Sequence, residues 1–223
     1  MSANVRAVVF DFDGLVLDTE TAVYHAWREA FVAHGAAPPT MEEWAAEIGS
    51  HGVVDFVALL RERATRPFDV ERMHTVRRAR HDELVAAERV LPGVGEWLDD
   101  ADARGFGIAI ASSSPYDWVH THLDRLGIRH RFAHVSCRDE NVPAKPAPDV
   151  YLRACAALGV PPADAIAVED SPNGIAGAKA AGLRCVAVPN GITAMLDCSA
   201  ADLVVESLAA CSLADALSLL GVG

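Results

Sequence analysis

Residues 8–20 read VVFDFDGLVLDTE. The run opens on β-branched and aromatic side chains, breaks at two aspartates one residue apart, and reaches a glycine at position 14. A strand covered on both faces is apolar throughout, so an abrupt acidic end marks where it leaves the sheet and delivers polar groups. Counted from residue 5 to residue 10, this strand sets a pattern that recurs. GIAIA at 107–111 ends in Ser112, AIAV at 165–168 ends in Glu169 and Asp170, and CVAV at 185–188 ends in Pro189. FAHVS at 132–136 and DLVV at 202–205 are weaker versions of the same signal.

Helical patterns separate these runs. Ser171 is placed to cap a helix that Pro172 opens and Gly182 follows, and Pro148 opens another that closes at Gly159. Strand and helix in alternation imply right-handed βαβ units, hence an α/β fold with a Rossmann-like, doubly wound parallel sheet. Residues 19–91 depart from the pattern: helical stretches lie near 21–34, 41–47, 53–63 and 70–88, with no strand among them. Pro38 and Pro39 interrupt this region, Thr40 with Glu43 offers a capping box, and Pro92 with Gly93 marks the return. The expected organisation is an α/β core of residues 1–18 and 92–223 with an inserted α-helical cap domain of residues 19–91.

Composition narrows the function. Of 223 residues, 51% are hydrophobic and 22% charged, enough to bury a sizeable interior. With 19 basic against 31 acidic residues, the formal charge of -12 sets an average field that repels nucleic acid. A small phosphate ester stays admissible, because a local cation can dominate the potential inside one cleft. The five cysteines are odd in number and form no CxxC pair, so they read as reduced thiols rather than a disulfide framework or zinc ribbon. No apolar run approaches about 18 residues, and acidic residues arrive before a signal-peptide core is complete, so a cytoplasmic protein with no membrane partner is expected.

In an open α/β sheet, ligands bind beyond the carboxyl ends of the strands, where residues distant in sequence converge. Asp11 and Asp13 follow the first strand, Ser112 follows GIAIA, Lys145 lies in AKPAPD after FAHVS, and Glu169 with Asp170 follows AIAV. The set suits phosphoryl transfer. Carboxylates hold a hard cation, one carboxylate attacks phosphorus, and a hydroxyl and an ammonium neutralise phosphoryl oxygens. Gly14 lets main-chain amides approach a phosphate closely, and Ser113 could offer its own amide.

The runs VVFDFDGLVLDTE, IAIASSS, AKPAPDVYL and AVEDSPNGI resemble, in content and order, the motifs of the haloacid dehalogenase superfamily. The helical insertion resembles the cap of the subgroup that contains sugar phosphatases and β-phosphoglucomutase. The resemblance implies that Asp11 is the nucleophile that becomes an aspartyl phosphate, and that Asp13 is the acid that protonates the leaving group and then activates water. It implies that Ser112 binds the transferring phosphoryl group and that Lys145 steadies that group and the nucleophile. Mg2+ would be held by Asp11, the main-chain carbonyl of Asp13 and Asp170, with Glu169 supporting it directly or through water.

In the cap, Gly49, Ser50 and His51 of EIGSHG are either a loop reaching the substrate or an ordinary glycine-flanked link. Arg77 and His81, one helical turn apart in VRRARHDE, either steer an anionic substrate or form a solvated face. Trp27 and Trp44 sit in apolar patterns and read as cap core. Asn173 serves either to orient a neighbouring carboxylate or to form a turn. The implied function is a magnesium-dependent phosphatase acting on a small phosphorylated metabolite, a sugar phosphate or similar phosphomonoester, as a monomer or weak homodimer. The alternative is a β-phosphoglucomutase-like phosphomutase. In that pattern a histidine follows the DT pair by four residues and the cap carries a lysine; here Val23 stands at that position and residues 19–91 contain no lysine. Asp13 argues against a haloacid dehalogenase, and the missing cap lysine against phosphonate hydrolysis.

Overall fold

The structure is a computed structural model and describes residues 4–48 and 54–222. Six parallel strands form one sheet: β1 (Ala7–Phe10), β2 (Gly107–Pro115), β3 (His134–Arg138), β4 (Ala165–Glu169), β5 (Arg184–Ala187) and β6 (Leu203–Val204). Their order is β3-β2-β1-β4-β5-β6. The chain therefore starts at the centre, winds outward through β2 and β3, then returns to β4 on the other flank of β1. That reversal opens a crevice beyond the carboxyl ends of β1 and β4, where α/β sheets bind ligands. Phe10 pairs with Ile110 on one side and Val168 on the other, so the residues that follow these three positions emerge side by side.

Period-two alternation divides the sheet's two faces by size. Val8, Phe10, Ile110, Ile166 and Val168 enter one apolar cluster, which includes Trp97 and Leu98 of α5 (Val94–Ala103), Val119 and Leu123 of α6 (Tyr116–Arg125) and Leu217 of α9 (Leu213–Leu219). The opposite face presents Ala7, Ala109, Ala111, Ala165 and Ala167 to α7 (Asp149–Leu158) and α8 (Pro172–Ala181). Small strand residues let these two helices lie close to the sheet, which brings their first turns to the crevice.

Between β1 and α5 lie α1 (Thr19–Ala33), α2 (Met41–Ile48), α3 (Phe56–Arg63) and α4 (Val70–Ala87). They gather around their own cluster of Trp27, Phe31, Trp44, Phe56, Leu60 and Met73, joined by Ile192 from the loop after β5. Trp27 and Trp44 are thus buried, as their apolar patterns suggested. The segments entering and leaving these helices run side by side: Leu17 and Val90 form an antiparallel bridge, and Leu91 N donates to Val16 O at 3.0 Å.

Several boundaries differ from the sequence reading. Helix α1 starts at Thr19 because the Asp18 carboxylate caps it, accepting from Thr21 N at 3.0 Å. Helix α3 starts at Phe56 because Asp55 accepts from the amides of Val57 and Ala58, while Val53 lies outside the described residues. The Thr40–Glu43 capping box forms in both directions, at 2.7 and 3.2 Å. Strand β2 does not stop near Ser112 but runs on to Pro115, with a register shift against β3 between those residues.

All five cysteines are reduced and buried, and burial pushes the Cys137 and Cys155 thiols up to about 11. Among the described residues no helix is long and apolar enough to cross a membrane.

Candidate active site at the carboxyl ends of the strands

Asp11 is the first residue past β1, and its amide still donates to Val168 O at 2.9 Å, so the sheet itself fixes its backbone. The Lys145 ammonium donates to Asp11 Oδ1 and, at 2.6 Å, to Glu169 Oε1. Asp11 is 6%, Lys145 7% and Glu169 0% exposed, so water cannot replace these contacts. The Tyr151 hydroxyl donates to the same Glu169 oxygen. The other, Oε2, accepts from Asp170 N at 3.2 Å and Ser171 Oγ at 3.4 Å. The first turn of α8 closes over Glu169 at Gly174, where a Cβ would lie 1.9 Å from the carboxylate. Ser171 caps that helix, accepting from Gly174 N.

Asp170 is held from the far side. Asn190 Nδ2 donates to Asp170 Oδ2 at 2.9 Å and to Gly14 O at 3.1 Å. Gly14 has φ 84°, and a Cβ there would sit 2.2 Å from Asp170 Oδ2, so the turn needs glycine for its backbone and for the space.

The electrostatics follow from burying anions together. Burial raises the Asp11 pKa, Lys145 pulls it down, and Glu169 and Asp13 push it up again, leaving it well above the ordinary carboxylate range. Burial, then Asp11 and Glu169, raise Asp170 likewise. Burial alone would lower Lys145, but Asp11 and Glu169 outweigh it and hold the ammonium above its ordinary value. Asp11, Glu169 and Asp170 each present an oxygen within 4.8 Å of the others. Three carboxylates facing one ammonium are short of positive charge and offer hard oxygen donors, a set that fits a divalent cation such as magnesium.

Asp13 has a separate environment. Its Oδ1 accepts from Thr19 Oγ1 at 3.1 Å and Trp118 Nε1 at 2.8 Å; its Oδ2 accepts from Ser112 Oγ at 3.2 Å and Ser114 Oγ at 2.7 Å. Strand alternation explains the serines. Ser112 and Ser114, two apart on β2, reach Asp13, whereas the Ser113 hydroxyl accepts from Lys145 N at 3.0 Å and anchors the lysine loop. Glu20 lies nearby, pushed up to about 7 by burial and by the charges of Asp13 and Asp18.

The fold thus brings together Asp11, Asp13, Gly14, Ser112, Ser113, Lys145, Glu169 and Asp170. Arg77 stands apart from them. Its guanidinium lies 4.7 Å over the Trp27 ring, its Nε is buried without a hydrogen-bond partner among the described residues, and it lines a cavity of about 550 Å³ between α1 and α4 that none of the strand-end residues line. Gly49, Ser50 and His51 lie outside the described residues. Sequence reasoning passed over Tyr151, Ser114, Trp118 and Asn190. Ser114 was within reach of a period-two argument had β2 been continued, and Tyr151 lies inside the AKPAPDVYL run; Trp118 and Asn190 carry no local signal.

A family model described as haloacid dehalogenase-like hydrolase matches residues 5–182. YhcW of Bacillus subtilis is 39% identical over 210 residues, covering 94% of this chain and 95% of its own. Hexitol phosphatase B of Escherichia coli K12 is 32% identical and β-phosphoglucomutase of Bacillus subtilis 31%, covering 83% and 84% of this chain and 84% of each relative. The crystal structure of CbbY from Rhodobacter sphaeroides in complex with phosphate superposes with a TM-score of 0.70 at 29% identity, over 92% of this chain and 95% of that one.

Proposed function

Because this chain belongs to the haloacid dehalogenase-like hydrolase family, we propose that it is a magnesium-dependent phosphatase of small phosphorylated metabolites, with sugar or polyol phosphates as the substrate class. The observation that carries the reading is the buried Lys145 bridge between Asp11 and Glu169, with Asp170 beside it and Asp13 in its own donor cage. An Asp11 oxygen attacks phosphorus while the bond to the ester oxygen breaks, and Asp13 gives that departing oxygen a proton. Water then attacks the aspartyl phosphate, returns a proton to Asp13, and frees both Asp11 and inorganic phosphate. Lys145 favours the ionised form of Asp11 against the burial that raises its pKa, and Ser112 with the amides near Gly14 and Ser113 receives the phosphoryl oxygens. Asp11, Asp170 and the main-chain carbonyl of Asp13 would hold the cation, with Glu169 supporting them. Magnesium bound there would supply positive charge to offset that of the phosphoryl oxygens.

The same reading treats residues 1–18 and 92–223 as the catalytic core and residues 19–91 as a cap. Gly49 and His51 of the cap contribute to substrate choice, and Arg77 contributes by setting the shape of α4 against Trp27. The similarity to hexitol phosphatase B supports the substrate class. Phosphate release measured across sugar, hexitol, nucleotide and glycolate phosphates is the direct test. Asp11→Asn, nearly isosteric, abolishes release while the circular dichroism spectrum stays that of the parent; substantial turnover in that variant removes Asp11 from its role. A phosphomutase begins with the same intermediate but must hand it to a sugar hydroxyl, and Val23 with a lysine-free insertion favours water instead. Isomerisation of a sugar monophosphate that outpaces phosphate release and depends on added bisphosphate would establish the mutase.

A further inference from the structure

Helix α6 touches both the carboxylate cluster and the helical insertion. Toward the cluster, its Trp118 donates the indole N–H to Asp13 Oδ1 at 2.8 Å. Toward the insertion, the same indole is stacked on His81 of α4, with ring centroids 5.5 Å apart and planes 17° from parallel. His122, one turn further along α6, meets the indole edge-on at 4.3 Å. Two turns beyond Trp118, Arg125 donates to the main-chain carbonyls of Val85, Ala86 and Glu88, at 3.1, 3.2 and 2.9 Å, satisfying the carboxyl end of α4. The indole is therefore clasped between two helices that are fastened to each other.

The four donors on Asp13 are not equivalent. Three are hydroxyls, on Thr19, Ser112 and Ser114, and a hydroxyl hydrogen rotates to suit whichever acceptor is present. The indole N–H points one way only, along a direction set by the ring plane. A bond from a fixed donor orients a carboxyl group more strictly than bonds from rotating ones.

We propose that Trp118 is a positioning residue that aims the Asp13 carboxyl at the leaving oxygen, and that His81 of the insertion fixes the indole in the plane this requires. The proposal rests on Asp13 acting as the general acid. It makes the seating of α4 on α6 a condition for proton delivery, through two side chains outside the Asp11, Glu169 and Asp170 cluster.

The test uses leaving groups. An alkyl phosphate cannot expel its alkoxide without a proton, whereas p-nitrophenyl phosphate releases a phenolate that needs little help. The ratio kcat/KM reports only the steps up to loss of the alcohol, so the later hydrolysis common to both esters does not enter it. Trp118→Phe keeps a ring for the stack and deletes the N–H; it lowers kcat/KM for the alkyl ester about 10-fold more than for the aryl ester. Asp13→Asn shows the same bias more strongly. His81→Ala gives a smaller bias of the same sign, and His81→Phe, which restores a stacking ring, returns it toward the parent. If Trp118→Phe slows both esters equally while Asp13→Asn discriminates, the proposal is overturned and the acid assignment stands. If Asp13→Asn does not discriminate, the acid assignment falls and the proposal with it. Should Trp118→Phe lose its circular dichroism spectrum, the His81 pair decides: equal loss for both esters in His81→Ala, or no recovery in His81→Phe, overturns the proposal.

Discussion

Lys145 is the residue on which the buried carboxylates depend. Removing one partner of a buried ion pair leaves the other charge uncompensated, at a cost of roughly 3–5 kcal/mol. Lys145→Ala is therefore expected to lower the thermal midpoint markedly and to depress phosphate release even at saturating magnesium; a variant as stable as the parent would show that the cluster does not need the ammonium. Glu20 gives the opposite sign. Its pKa is raised on folding from 4.5 to about 7, so the folded state binds its proton more tightly than the unfolded chain. The resulting penalty is absent below the unfolded value, grows as pH climbs toward 7, and is complete above it. Glu20→Gln should match the parent's thermal stability at pH 4 and exceed it at pH 8 in metal-free buffer. Equal stability at both values would mean that Glu20 ionises without strain.

At the scale of elements, helix α8 illustrates how context reverses a propensity. Alanine favours an ordinary helix over glycine by about 1 kcal/mol, yet at Gly174 its Cβ would stand 1.9 Å from the Glu169 carboxylate. Gly174→Ala is predicted to destabilise the protein and slow phosphate release by displacing Glu169 from Lys145, measured by thermal unfolding and steady-state assay. Much of this level was legible beforehand. Strands β1 and β4 announce themselves by apolar runs that end in acid, and the caps at Ser171, Thr40 and Gly159 lie where their side chains and backbone needs put them. The apolar run of β2 ends at Ser112, and Ser113, Ser114 and Pro115 carry no strand pattern, although pairing to β3 through an irregular register carries the strand on to Pro115. That missing pattern hid Ser114. Trp118 and Asn190 meet their partners Asp13 and Gly14 across 105 and 176 residues, a separation at which periodicity carries no information.

For the molecule as a whole, the winding of the sheet concentrates negative charge at one edge of a chain that is already acidic overall, with a formal charge of -12. Folding must hold that edge together against its own repulsion, and a cation bound there stabilises the native state by mass action, by about 2.7 kcal/mol at 100 times its dissociation constant. Magnesium should thus raise the thermal midpoint in the absence of any substrate, and Asp170→Ala should shrink the rise. A midpoint indifferent to magnesium at millimolar concentration would count against a cation site at Asp11 and Asp170, independently of any turnover measurement.

The five buried thiols also make the chain a recorder of its own opening. A thiol reacts as its thiolate and only where reagent can reach it, so the native protein should be silent toward a chromogenic disulfide at neutral pH, and the unfolded chain should report five equivalents. Between those limits the order of labelling is a map. Cys185 and Cys155 lie deep in the alanine-faced cluster at 0% and 1% exposure, while Cys198 in the same cluster and Cys211 in the opposite one are at 6% and 9%. Reagent uptake at Cys198 and Cys211 ahead of Cys155 and Cys185 would time the loosening of the segment that follows β5 against the opening of β5 and α7, with no probe added to the molecule.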